Sequence, residues 1–247
     1  MAGERCQRRA VPCPTVGRDA QAPASEDVVD VTIAGGHGRI ALHTSRLLSQ
    51  RGDGVRGLIR NEGQSDDLRA VGATPVVVDL EQVADGDLAD IVAGSDAVVF
   101  AAGAGPGSGA ARKETVDYGA AVKRLAAARR AGVARYVMVG SMGADDPPAG
   151  DDVFSVYLRA KARADRALMD SDRAWTVVRP GGLTDGPGTG RVDLARRVPR
   201  GKVPRADVAA VLVAVLDDER TVGHVFEVVG GDTPIADALE RLVTGAA

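Results

Sequence analysis

Aromatic side chains are scarce in this chain, at 3% of 247 residues, and so are cysteine, with two, and histidine, with three. So few rings argue against a pocket built to stack a flavin or a tetrapyrrole. Cys6 and Cys13 both stand near the start with no His or Cys partners at metal-ligand spacing, which argues against a disulfide scaffold and a zinc site. Long apolar runs are also missing. None approaches the roughly 20 residues that span a bilayer, and the arginine-rich start lacks the apolar stretch of a secretory signal, so a cytoplasmic protein without a membrane partner is expected. A net charge of −3 gives no excess of positive charge, so nucleic acid is not an expected partner either.

What is present suits a folded domain. With 45% apolar and 26% charged residues, the chain can bury one substantial core, expected over residues 27–247. Residues 1–26 mix Arg, Pro, Gly, Ser and Ala without apolar periodicity, which predicts a disordered tail. From Val28 onward strands and helices alternate. Strands are expected near 29–34, 55–60, 75–79, 96–102, 135–140, 175–179 and 224–229, with helices near 39–51, 64–71, 115–131, 155–170 and 205–217. This alternation predicts an α/β protein with a doubly wound, mostly parallel sheet of the Rossmann type, with ligands above the carboxyl ends of the strands. Gly- and Pro-rich turns after residue 180 predict a small C-terminal substrate cap rather than a second core.

One stretch carries more information than any other. Val31-Thr32-Ile33-Ala34 reads as a buried strand, Gly35-Gly36-His37-Gly38 as a tight turn, and Arg39-Ile40-Ala41 as a helix start. A turn of this kind lets backbone N–H groups approach a pyrophosphate at a helix N-terminus. Both Gly36-x-Gly38-x-x-Ala41 and Gly35-x-x-Gly38-x-x-Ala41 fit known dinucleotide spacings. Gly35, Gly36, His37, Gly38, Arg39 and Ile40 are therefore expected cofactor contacts, His37 as a turn residue rather than a general base.

The second predicted strand ends in Arg60, about 20 residues past the turn, where NAD-binding folds often place an acid on the ribose. A guanidinium suits a 2′-phosphate, so NADP is the expected cofactor, with NAD possible. Asp79, which is followed by Leu80, closes the third strand, either facing the adenine amino group or acting as a plain turn acid. Ala101, Ala102 and Gly103 end the fourth strand with small residues where a cofactor crosses the sheet edge.

Ser141 emerges at the carboxyl end of a predicted strand, and Tyr157 and Lys161 lie four apart on one face of a helix. In this arrangement Tyr157 exchanges a proton with a carbonyl or alcohol while the cofactor exchanges hydride. Ser141 hydrogen-bonds the same oxygen, and Lys161 holds the phenol and the nicotinamide ribose. Tyr118 is expected to pack, and Asp207 to cap or pair structurally at a late helix start.

Taken in order, Gly35-Gly36-His37-Gly38, Leu58-Ile59-Arg60-Asn61, Val99-Phe100-Ala101-Ala102-Gly103, Val139-Gly140-Ser141, Tyr157-Leu158-Arg159-Ala160-Lys161 and Val177-Val178-Arg179-Pro180-Gly181 resemble the short-chain dehydrogenase/reductase superfamily. The resemblance is to its atypical NAD(P)H-binding branch, the NmrA-like and flavin/biliverdin-reductase-like proteins, and runs from about Val29 to near Leu242. It implies a Rossmann domain with the nicotinamide near Pro180 and Gly181. It departs from the family by placing Gly140 where a first serine often precedes Ser141. Some such branches bind NADPH only as redox sensors. Retention of Tyr157 and Lys161 favours an oxidoreductase acting on a small carbonyl, quinone or similar acceptor, as a monomer or homodimer. A nucleotide-sugar epimerase or dehydratase is a third reading, which usually needs a larger substrate domain.

Overall fold

The computed structural model describes residues 28–245 apart from positions 104 and 106, so the predicted N-terminal tail lies outside the described residues. The apolar β-branched run predicted at Val31 forms strand β1 (Asp30–Ala34), which is buried at every position after its first. Helix α1 (Arg39–Gln50) follows the glycine turn, then β2 (Gly54–Ile59), the short α2 (Ser65–Arg69) and β3 (Thr74–Val77). The next elements are α3 (Asp85–Val92), β4 (Ala97–Phe100), α4 (Ala110–Arg112), a π-helix over Lys113–Ala120 and α5 (Ala121–Arg130). Then come β5 (Arg135–Val139), α6 (Val153–Met169), β6 (Ala174–Pro180), β7 (Gly182–Thr184), β8 (Arg191–Ala195) and β9 (Lys202–Pro204). The chain closes with α7 (Arg205–Asp217), β10 (His224–Gly230), β11 (Thr233–Pro234) and α8 (Ile235–Thr244).

The main sheet has the order β11-β8-β10-β6-β5-β4-β1-β2-β3. From β3 through β10 every neighbouring pair is parallel, and β8 and β11 extend the far edge in antiparallel pairing. Strand order reverses between β1 and β4, the switch point at which a doubly wound sheet opens a crevice. This is the expected Rossmann-like α/β fold.

Alternation along the central strands feeds two cores. Ile33, Val99 and Val137 face Leu48, Val208 and Leu212 on α1 and α7, whereas Val98, Phe100, Tyr136 and Met138 face Leu88 on α3, Ala127 on α5 and Leu168 on α6. Each fully buried Leu or Ile contributes about 1.5–3 kcal/mol relative to exposure.

The C-terminal stretch differs in detail from the expected cap. Val192, Leu194, Val203 and Leu239 join the same cluster as Ile33 and Leu48, so most of the stretch widens the sheet and covers its face. The β7–β9 ladder forms a separate two-stranded sheet, anchored to that core by Val203 of β9. The helix α3 was not expected because its segment is dominated by acids and glycine. Asp85 and Asp87 sit in its first turn, where the helix dipole favours them, and Leu88 and Val92 anchor it.

Candidate functional site

The three turn glycines do three different jobs. Gly35 has φ of +76°, and a Cβ there would stand 2.6 Å from the Ala102 backbone, so only glycine lets β1 and β4 end so close together. Gly36 does not reach the cleft. A Cβ on it would lie 2.8 Å from the Gly57 Cα, and its N–H donates to the Leu58 carbonyl at 2.9 Å, so it seats the turn on β2. Gly38 is exposed, caps α1 without any side-chain hydrogen bond, and accepts the first helical bond from Leu42 at 2.9 Å. The amides of Arg39, Ile40 and Ala41 precede that first bond, as a helix N-terminus that receives an anion requires. Buried Ala41 lets α1 approach the sheet.

These residues open into a cleft of about 1190 Å³ along the carboxyl edge of the sheet. It is lined by Gly35, His37, Gly38, Arg39, Ile40, Arg60, Asp79, Leu80, Ala101, Ala102, Gly103, Ser141, Tyr157, Lys161, Pro180 and Gly181. All the site residues expected from the sequence are thus brought together except Gly36.

At the β2 end of the cleft Arg60 is 57% exposed, its Nη1 3.7 Å from the Glu81 carboxylate. Glu81, which the sequence did not single out, also accepts from Arg112 at 3.1 Å and from the Thr115 hydroxyl at 2.6 Å. Asp79 accepts the Glu81 N–H at 2.9 Å, so one of its oxygens is spent on the turn. His37 pairs through Nε2 with Asp67 of α2 at 2.7 Å. Arg39 and Arg205 both donate to Asp185, which ties the loop after β7 to the start of α1. The Arg39 hydrogen bond, with the Arg205 charge, holds the Asp185 carboxyl below the usual aspartate range.

At the other end, α6 presents its residues from an N-cap made by Asp152, which accepts from the amides of Phe154 at 3.0 Å and Ser155 at 3.1 Å. Tyr157 is half-buried one turn further on. Lys161 lies deeper, donating to the Val139 carbonyl at 3.0 Å and standing 3.6 Å from Asp117 of the π-helix. The ammonium that faces the Tyr157 ring is another one, that of Lys113, 5.2 Å from the ring centroid. Sequence reasoning missed it, because Lys113 reaches the cleft only through the π-helix, a form that often marks functional sites. The Ser141 hydroxyl makes one long contact, 3.4 Å to the Met142 carbonyl.

An ion cluster, buried at Arg179 and Asp165, lies against Gly140. Arg179 on β6 donates through Nε to Asp165 at 2.8 Å and through Nη1 to Asp145. Burial pushes the Asp165 carboxyl up, against the pull of Arg179. This cluster explains Gly140, the departure from the family pattern. A Cβ there would lie 2.9 Å from the Arg179 Cγ and 3.0 Å from the Asp165 carboxylate. Glu227, buried on β10, accepts from the amides of Gly143 at 3.4 Å and Val198 at 3.1 Å, tying the Ser141 loop to the stretch after β8. Tyr118 lies under the Arg163 guanidinium at 3.8 Å and packs against the core. Asp207 accepts from the Thr189 and Gly190 amides at 2.8 Å, a structural tie.

Known proteins resemble this chain in sequence and fold. The model of an NAD(P)H-binding family matches residues 35–219. The chain is 36% identical over 213 residues to the uncharacterized sugar epimerase YhfK of Bacillus subtilis, covering 86% of this chain and 99% of that protein. It is 32% identical over 231 residues to the UPF0659 protein C216.03 of Schizosaccharomyces pombe, covering 85% and 94%. Among solved structures, a Bacillus halodurans protein provisionally named an NAD-dependent epimerase/dehydratase superposes with a TM-score of 0.81 at 37% identity, over 87% of this chain and all of that one. The oxidoreductase ylbE of Lactococcus lactis superposes with a TM-score of 0.76 at 26% identity, over 87% and 97%. The chain belongs to the NAD(P)H-binding family of Rossmann-fold oxidoreductases.

Proposed function

We propose that the protein is an NADP-dependent reductase of a small carbonyl, quinone or similar acceptor. The observation that carries this reading is the placement of Ser141 and Tyr157 in the same cleft as the open, uncapped N-terminus of α1. The uncapped first turn and the exposed Gly38 fit a pyrophosphate, and Arg60 beside Arg112 fits a 2′-phosphate more readily than a ribose diol. When bound, the nicotinamide supplies the hydride.

The chain's own groups do the rest. Tyr157 donates its hydroxyl proton to the acceptor oxygen as that oxygen gains charge, and Ser141 donates a hydrogen bond to the same atom. Lys161, held between Val139 and Asp117, orders the floor beneath the nicotinamide ribose. Pro180 and Gly181 close the wall at the end of β6. The names of the epimerase relatives favour the other reading, but most of the chain after residue 180 widens the sheet. That leaves only β7, β9 and adjoining loops to cover a bulky nucleotide sugar.

The test is a turnover screen with NADPH and NADH against carbonyl and quinone panels, followed by Tyr157→Phe. The variant is expected to keep NADPH affinity within a few-fold and to lose about 10²–10⁴ in kcat. Cofactor binding without reduction of any acceptor would instead favour an NADPH sensor, and an unchanged kcat in Tyr157→Phe would remove the proton-transfer role.

A further inference from the structure

Lys113 is a buried cation in the wall of the cleft. It is 8% exposed, yet its ammonium makes one hydrogen bond among the described residues, to the Gly105 carbonyl at 2.9 Å. The acids of the same π-helix are engaged elsewhere, Glu114 with Arg163 at 2.6 Å and Asp117 with Lys161. Buried charges are normally paired, so an ammonium that lines a cleft and donates to a single carbonyl among the described residues is suited to receive an anion. Its position says which molecule brings that anion. It sits 5.2 Å from the Tyr157 ring centroid, at the reacting end and not at the turn that fits a pyrophosphate.

Beside it the wall is apolar. Phe154 is 58% exposed, Val153 47% and Leu183 39%, and all three line this cleft. Phe154 lies 6.0 Å from the Tyr157 ring, centroid to centroid. Seven aromatic residues serve the whole chain, and two of them stand here. A patch of this kind beside a buried ammonium fits an apolar, ring-sized body carrying an anionic group such as a carboxylate.

We infer that the acceptor is an apolar carboxylate, with its anionic group on Lys113 and its body against Val153, Phe154 and Leu183. The inference rests on the reductase reading for the ligand's role as acceptor, while the anion site itself is read by binding. The probes are 2-naphthoate and its neutral amide, 2-naphthamide, titrated by calorimetry into the protein saturated with NADP⁺. Naphthoate is expected to bind at least about 10-fold tighter than the amide, the range of a charge-assisted hydrogen bond. Lys113→Gln should erase that preference, Lys113→Arg should retain most of it, and Phe154→Ala should weaken both probes alike.

Equal binding of the two probes to the wild type would overturn the inference, and that comparison needs no variant to fold. Persistence of the preference in Lys113→Gln would overturn it as well. So would displacement of naphthoate by NADPH, because the cation would then belong to the cofactor. Failure of every acceptor to be reduced counts against the reductase reading and leaves the naphthoate comparison to be judged by its own outcome.

Discussion

The two ends of the cleft are built on different principles. Where β1 meets α1, the proposed recognition rests on backbone: a left-handed Gly35, a crowded Gly36, an open Gly38 and amides that no side chain caps. At the opposite end it rests on side chains gathered from distant segments. Ser141 comes from the loop after β5, Tyr157 from α6, Lys113 from the π-helix and Leu183 from β7. The first end is set by consecutive residues, of which Gly35 and Gly36 leave no room for a Cβ. The second is set by tertiary packing, and the Arg179–Asp165–Asp145 cluster and Glu227 hold its loops in place. Substitutions at the open positions of the first end, such as Gly38, should therefore act on cofactor affinity alone, and those at the second on turnover or acceptor choice.

The sharpest way to break this contrast is Gly38→Val. Gly38 has φ of −61° and ψ of 143°, which valine adopts without strain, so the fold should survive. Its side chain would crowd the Gly35 carbonyl, 3.1 Å from the Cβ position, and cover the first-turn amides. Dinucleotide binding is expected to become undetectable by calorimetry while the melting temperature stays within a few degrees. A folded Gly38→Val protein with wild-type NADPH affinity would show that the turn is not the pyrophosphate site.

A smaller effect is expected from Arg60→Ala, since half of that guanidinium is in water and Glu81 already stands near it. Loss of a charge-assisted contact to a 2′-phosphate should weaken NADPH by about 10- to 100-fold and leave NADH nearly unchanged. Titration of both cofactors against both proteins decides. A wild type that prefers NADH would mean that Glu81, not a phosphate, is the natural partner of Arg60.

The same contrast explains what the sequence reveals. The Rossmann order, the two-sided core and the turn are legible because each follows from local periodicity or from glycine spacing, as Val31–Ile33 and Ile40–Leu48 show. Helix α7 is read with the same bounds as observed, since its apolar residues recur without interruption from Val208 to Leu216. Strand β8 carries a readable alternation, with Val192 and Leu194 buried and Arg191 and Asp193 exposed, but a glycine-rich turn before it and an arginine-rich stretch with Pro199 after it hide the strand. Glu81 and Lys113 leave no local signal. Each is an ordinary charged residue in its own segment, and becomes part of the cleft only when β3, the π-helix and α6 converge.

The smallest expected effect lies at the start of α6, where the side-chain end depends on one local device. Asp152 accepts from two amides and from the Ser155 hydroxyl, and that hydroxyl contact, followed by the amide bonds, holds its carboxyl below the ordinary value of 3.8. Asp152→Ala should uncap the helix and lower the melting temperature by about 2–4 °C at neutral pH. A carboxyl whose folded pKa is depressed stabilises the protein above its unfolded value and loses that contribution as pH falls through the folded one. The difference between wild type and variant should therefore be constant from pH 7 to about pH 5 and shrink steadily below pH 3.8. Because the uncapped turn carries Val153 and Phe154, the variant should also bind 2-naphthoate less tightly while binding NADPH as before. A loss of NADPH affinity matching the loss of naphthoate would show that the two ends of the cleft are not independent.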